Sequence, residues 1–231
     1  MKILIAGDSW GCGEWSDEHL PFNISLHNLG LTHNGLEQYL RDENFIVKNL
    51  SEPGCANQII YRRLYFELKY NPNYWDKIIV FQTTPTRDVH WEGSKKFSYD
   101  DLIITLDTFL NKFYIALNNL NYPIDILGGC SKVNTDLIAK YENLQSSIPS
   151  ILEFLIPGFN QPKIWTDILQ IIDKKNYSTE TLEKIINETE ILFNLSNLSP
   201  YFEKEPYHPD RLAHKNIFEF LKKSYLNPLS A

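Results

Sequence analysis

Two residues at opposite ends of the chain have the types that nucleophilic catalysis needs. They are Ser9, in Gly7-Asp8-Ser9-Trp10-Gly11, and His208, in Glu205-Pro206-Tyr207-His208-Pro209. A serine hydroxyl is a weak nucleophile until a base within hydrogen-bond reach takes its proton, and that base needs a third group to orient it. The His208 imidazole is a candidate base. Glu205, three residues earlier, can fold back onto the ring and fix its tautomer, with Asp210 as the alternative acid. Pro206 and Pro209 restrict the backbone around Tyr207-His208, so the turn is ordered before any substrate arrives. Such a set performs acyl transfer through a covalent intermediate.

The elements that must position these groups alternate strand and helix. Lys2 to Ala6 is a continuous apolar run, as a parallel strand buried on both faces requires. It places Ser9 just past a strand's carboxyl end, where open α/β sheets bind ligands. Further strands are predicted at Phe45 to Lys48, Lys77 to Phe81 and Ile124 to Leu127, with Ile151 to Leu155 as a short peripheral strand. Helices are predicted from Ala56 to Lys69, from Tyr99 to Asn119 behind Ser98 and its neighbouring acids, from Ser178 to Leu195, and from Arg211 to Tyr225. The last of these is expected to bury Leu212, Ile217, Phe218 and Leu221. The pattern is that of a doubly wound α/β sheet. Residues 14–43 form a long excursion between the first two strands, with a short helix at Leu36 to Leu40. Loops of this length at strand ends often cover a site, and Trp15, Leu20 and Phe22 offer an apolar wall.

Composition narrows the function classes. The chain has 231 residues and 27.0 kDa, which fits one domain spanning 1–231. A net charge of -7 and a pI of 5.4 disfavour nonspecific binding to nucleic acid or anionic membrane. Cys12, Cys55 and Cys130 cannot all pair within one chain and form no CxxC, so reduced thiols and a cytoplasmic protein are expected. The apolar start is too short for a signal peptide, and no apolar run reaches the length of a membrane span. His19, His27 and His33 match no standard metal spacing, and the glycines after the first strand form neither a dinucleotide nor a phosphate loop. No metal or cofactor is expected.

Gly7-Asp8-Ser9, Gly54 after the second strand, and His208-Pro209 with His214 six residues on resemble, in order and spacing, the blocks of the SGNH, or GDSL-type, hydrolase superfamily. The resemblance implies a three-layer α/β/α, flavodoxin-like fold with a mostly parallel sheet. It implies a serine esterase without a cofactor, acting on a small-molecule or carbohydrate ester such as a sugar O-acetyl group. Ser9 is then the nucleophile, His208 the base and Glu205 the acid, with the amides of Ser9 and Gly54 in the oxyanion hole. The chain departs from the family after the third strand. Where Gly-x-Asn-Asp is usual it has Gln82-Thr83-Thr84-Pro85-Thr86-Arg87-Asp88, with no asparagine. Asn57, Gln82 and Thr84 are the candidate replacement donors, and Arg87, Trp10 and Trp15 the candidate substrate contacts. Loss of the donor without replacement leaves a second reading, a non-catalytic binding module on the same fold.

Overall fold

The computed structural model describes residues 1–15, 31–88, 98–129, 131–161, 178–181, 183, 184, 187, 201 and 208–226. Five strands form the central sheet: β1 (Lys2–Ala6), β4 (Ile46–Asn49), β5 (Lys77–Gln82), β6 (Ile124–Gly128) and β7 (Leu144–Gln145); between β1 and β4, in the excursion, β2 (Glu14–Trp15) and β3 (Leu31–His33) form a separate two-stranded sheet. All pairs within the central sheet are parallel, with Ile5 opposite both Asn49 and Ile79, and Val80 opposite Ile126. Their spatial order is β4-β1-β5-β6-β7. Counting only these five strands in chain order, this is the doubly wound 2-1-3-4-5 arrangement, whose direction reverses beside β1. Ser9 follows β1, at that reversal.

Side chains on a strand alternate between faces, and β1 shows the result. Ile3 and Ile5 join one core cluster with Trp10, Leu36, Leu40, Phe81, Ile217, Phe218 and Leu221. Leu4 and Ala6 join the other, with Ile60, Leu64, Val80, Leu110, Tyr114 and Ile126. Helices α2 (Gly35–Asp42) and α7 (Arg211–Leu221) therefore cover one face, and α3 (Asn57–Tyr70) and α4 (Tyr99–Asn118) the other. This is a three-layer α/β/α architecture, and burial on both faces accounts for the unbroken apolar runs of β1 and β5. Helix α4 starts at the predicted place through a capping box, in which Ser98 Oγ accepts from Asp101 N and the Asp101 carboxylate accepts from Ser98 N.

Three expectations are corrected. Ile151–Leu155 is a helix, α6, rather than a strand, because Ser150 Oγ accepts from Glu153 N at 3.1 Å and caps it. The peripheral strand lies earlier, at β7, between α5 (Thr135–Ile138) and α6. Leu212 is 44% exposed, while Ala213 and His214 take the buried positions of α7. The excursion's short helix extends over Gly35–Asp42, and its tip, residues 16–30, lies outside the described residues, as does most of the helix expected from Ser178.

Asp125, fully buried in β6, holds the connection after β7: it accepts from Ser147 N at 2.8 Å and from Ser147 Oγ at 2.6 Å. Asp125→Ala leaves both donors without their acceptor, and the expected destabilisation is about 1–3 kcal/mol. Urea unfolding checks it, a midpoint equal to the wild type's being the contrary result.

Candidate active site

β1 ends at Ala6, and Gly7 then passes β5 so closely that a Cβ there would lie 2.7 Å from Phe81 Cβ. Only glycine fits this crossing without displacement. The next residue turns the chain. Asp8 Oδ1 accepts from Trp10 N at 3.0 Å and caps the four-residue helix α1 (Ser9–Cys12), so that Ser9 is the helix's first residue and Asp8 its cap. The loop after β4 is tied to the same turn, with Glu52 N donating to Gly7 O at 3.1 Å and Asn49 Nδ2 to Gly11 O at 2.8 Å. Gly54 sits in that loop at φ +74°, a left-handed turn that glycine adopts without strain.

From the other end of the chain, His208 Nε2 comes to 2.6 Å from Ser9 Oγ. The imidazole is placed by the start of α7, where Asp210 Oδ1 accepts from Ala213 N at 2.8 Å. Asp210, an alternative acid in the sequence, thus caps the helix. Burial first, then the Arg87 cation and His214, push the His208 pKa down to about 3. The ring is neutral at pH 7 and, with its proton on Nδ1, can accept from the serine hydroxyl at Nε2. His214, wholly buried in α7, is likewise pushed down to about 4, chiefly by burial. It packs against Gly35 and Phe81.

Behind Ser9 lies a polar network that the sequence reading did not assemble. Asp8 Oδ2 accepts from Thr83 Oγ1 at 2.6 Å and from Arg87 Nη1 at 3.1 Å, and Arg87 Nη1 also donates to Thr83 Oγ1 at 2.9 Å. Arg87 lies on the helical turn Pro85–Asp88 after β5. Asn57, at the start of α3, accepts from Thr83 N through Oδ1 and spends its two amide hydrogens on Thr83 O at 3.2 Å and Asp88 Oδ2 at 2.9 Å. Asp88 Oδ1 in turn accepts from Gln58 N. Burial raises the Asp88 pKa against these hydrogen bonds. The signal was the mostly polar stretch Gln82 to Asp88 directly after the apolar run Ile78 to Phe81.

The candidate replacement donors are therefore largely committed. Gln82 is fully buried and its two amide hydrogens go to Ser131 Oγ at 2.7 Å and Lys132 O at 3.2 Å, while Tyr114 OH donates to its Oε1 at 2.6 Å. An amide has two hydrogens, so neither Gln82 nor Asn57 retains one for an oxyanion. The Thr84 hydroxyl is 2.9 Å from that of Thr86. Trp10, a candidate substrate contact, is 1% exposed and packs in the core with Phe81 and Leu127, because the first turn of α1 points it inward. Trp15 lies in β2 and its side chain, like Glu205, is outside the described residues.

The cysteines near the turn are poor nucleophiles. Burial, aided by Asp8, raises the Cys12 thiol well above its ordinary range and Cys55 to about 11, so both are protonated at neutral pH. Cys130, His19 and His27 lie outside the described residues. His33 Nδ1 accepts from Gly35 N, and no cluster of three metal-ligating side chains occurs among the described residues. No helix among them is long and apolar enough to cross a membrane.

No family model matches the chain, and no curated protein matches it. Among solved structures it is similar to a G-D-S-L family protein from Desulfitobacterium hafniense DCB-2, at 11% identity and TM-score 0.49, covering 96% of this chain and 98% of that one. It is also similar to the psychrotrophic esterase EstA from Pseudoalteromonas sp., at 14% identity and TM-score 0.46, covering 98% of each chain. A third is an acetylxylan esterase from Geobacillus stearothermophilus, at 14% identity and TM-score 0.44, covering 96% of this chain and 92% of that one. At identities this low, the chemistry of the site rests on this chain's own residues.

Proposed function

We propose that this protein is a serine esterase that cleaves a carboxylic ester through an acyl-enzyme. The observation that carries the reading is the 2.6 Å approach of His208 Nε2 to Ser9 Oγ, between residues 199 positions apart. Burial keeps the His208 ring neutral, the protonation state in which Nε2 can act as a general base. His208 takes the Ser9 proton as Oγ bonds to the ester carbonyl carbon. The imidazolium then protonates the leaving alcohol, the carbon–oxygen bond breaks, and the acyl group stays on Ser9. In the second half His208 removes a proton from water, whose oxygen displaces Ser9, and returns that proton to Oγ. Glu205 is the proposed acid that orients the ring. The amides of Ser9 and Gly54 are the proposed oxyanion donors.

With the Gln82 and Asn57 amides committed elsewhere, the oxyanion hole lacks a side-chain donor from either residue. Loss of one donor costs on the order of 100- to 1000-fold in turnover, so a slow enzyme is the expectation. A short ester, including a carbohydrate acetyl ester, is the proposed substrate, as the resemblance of the Gly7-Asp8-Ser9 and His208-Pro209 blocks implies. The committed amides equally favour the second reading, a binding module without turnover.

Hydrolysis of p-nitrophenyl acetate separates the two. Ser9→Ala is expected to lower kcat/KM by about 1000-fold or more, whereas equal rates in the two proteins contradict the esterase. The pH dependence carries a sign of its own. The folded-state pKa values of His208 and His214 lie below the ordinary 6.5. Between those values and 6.5 the unfolded chain therefore binds more protons than the native one. Their contribution to stability is complete above about pH 6.5 and declines as pH falls toward about 4 for His214 and about 3 for His208. The acid limb of kcat/KM, which reports the free enzyme's base, is expected below about pH 5. A limb centred near 6.5 contradicts the buried, neutral base.

A further inference from the structure

The commitment of Asp8 leads to a residue with no assigned part in the reaction. The carboxylate that caps the nucleophile's helix is wholly buried, and its second oxygen is held by two groups from the end of β5, Thr83 and Arg87. A single nitrogen, Arg87 Nη1, bridges Asp8 Oδ2 and Thr83 Oγ1. The Arg87 side chain is 13% exposed, so it is spent inward rather than offered to an anionic substrate. We propose that Arg87 is the positioning residue of the nucleophile, bracing Asp8 against Thr83 so that the first turn of α1 presents Ser9 to His208 in one orientation. The proposal rests on the esterase reading for its catalytic consequence, although not for its structural content.

Three features of the geometry converge on this role. The helix is one turn long, so it has almost no cooperative stability of its own and depends on its cap. Strands β1 and β5 are neighbours, and the Asp8–Thr83–Arg87 bridge spans their ends at the point where the sheet order reverses. The bridge also disposes of a charge problem. An isolated arginine cation beside the base would oppose formation of the imidazolium in the transition state, and pairing with the Asp8 anion reduces that opposition to the field of a dipole. Among the described residues the charged and titratable groups that bear on the His208 ring are Arg87 and His214. Part of the Arg87 field persists as a bias toward neutral imidazole.

Arg87→Met, Arg87→Lys and Thr83→Val test the proposal, with p-nitrophenyl acetate kinetics and histidine NMR titration on each full-length protein. Arg87→Met is expected to lower kcat by about 10- to 100-fold, the cost of a misplaced reacting group, with KM within about 3-fold, and to move the His208 titration upward. Arg87→Lys is expected to recover part of kcat and keep the titration near that of the wild type. Thr83→Val keeps the charge while removing the brace, so its kcat falls and its titration stays in place. Unchanged kcat in Arg87→Met and Thr83→Val overturns the proposal, as does a rise in KM alone, which would make Arg87 a substrate contact. If the wild type shows no Ser9-dependent turnover, the esterase reading fails by itself. The NMR spectra then still decide the brace: Thr83→Val, which keeps the charge, is expected to displace the His208 ring resonances while leaving their titration midpoint in place, and ring resonances in Thr83→Val identical to the wild type's overturn the brace without any reference to activity.

Discussion

Everything at this site hangs on the Asp8 carboxylate. A buried carboxylate costs several kcal/mol in lost hydration unless its oxygens are matched by donors and a counter-charge. Here one oxygen takes the Trp10 amide, and the other takes the Thr83 hydroxyl and the Arg87 guanidinium. The carboxylate thereby fixes three things at once: where β1 ends, where α1 begins, and how the end of β5 lies against both. Gly7 makes the junction sterically possible, because any side chain there would press on Phe81.

The rest of the fold brings distant groups to that junction. Parallel strands must be joined by crossovers, so residues separate in sequence meet at the carboxyl ends of the sheet. Asn57 and Asp88 bind the start of α3 to the end of β5, while Gln82, Tyr114 and Ser131 bind β5 to α4 and to the chain beyond β6. These bonds rigidify the scaffold, but they use amide hydrogens that an oxyanion would otherwise receive. Rigidity and electrophilic assistance compete for the same donors here. On the proposed function, the burden of charge stabilisation falls on backbone amides.

The centre of the sheet was legible because burial on both faces removes the polar half of the pattern in β1 and β5, leaving runs such as Ile78 to Phe81 that fit little else. Ser9 and His208 were legible because their neighbours are constrained: the glycine and aspartate of the turn, and prolines on both sides of the histidine. Ile151–Leu155 was misread because four apolar residues around one glutamate are too few to show a period, although Ser150 and Glu153 had the spacing of a helix cap. Trp10 was misread because exposure near a site was assumed from proximity, and the turn's handedness decides it instead. The Arg87–Asp8–Thr83 bridge had no sequence signal beyond a polar run, since residues 75 and 79 positions apart meet only through the sheet.

On the proposed function, Ser9 becomes covalently acylated with His208 as its base. Rapid acid quenching of the wild-type protein during p-nitrophenyl acetate turnover, followed by peptide mass mapping, tests it most directly. The expected result is an acetyl group on Ser9 that forms as the first equivalent of p-nitrophenol is released, and that fails to form in His208→Ala. Turnover with Ser9 unmodified, or with the acetyl group on another residue, would contradict it.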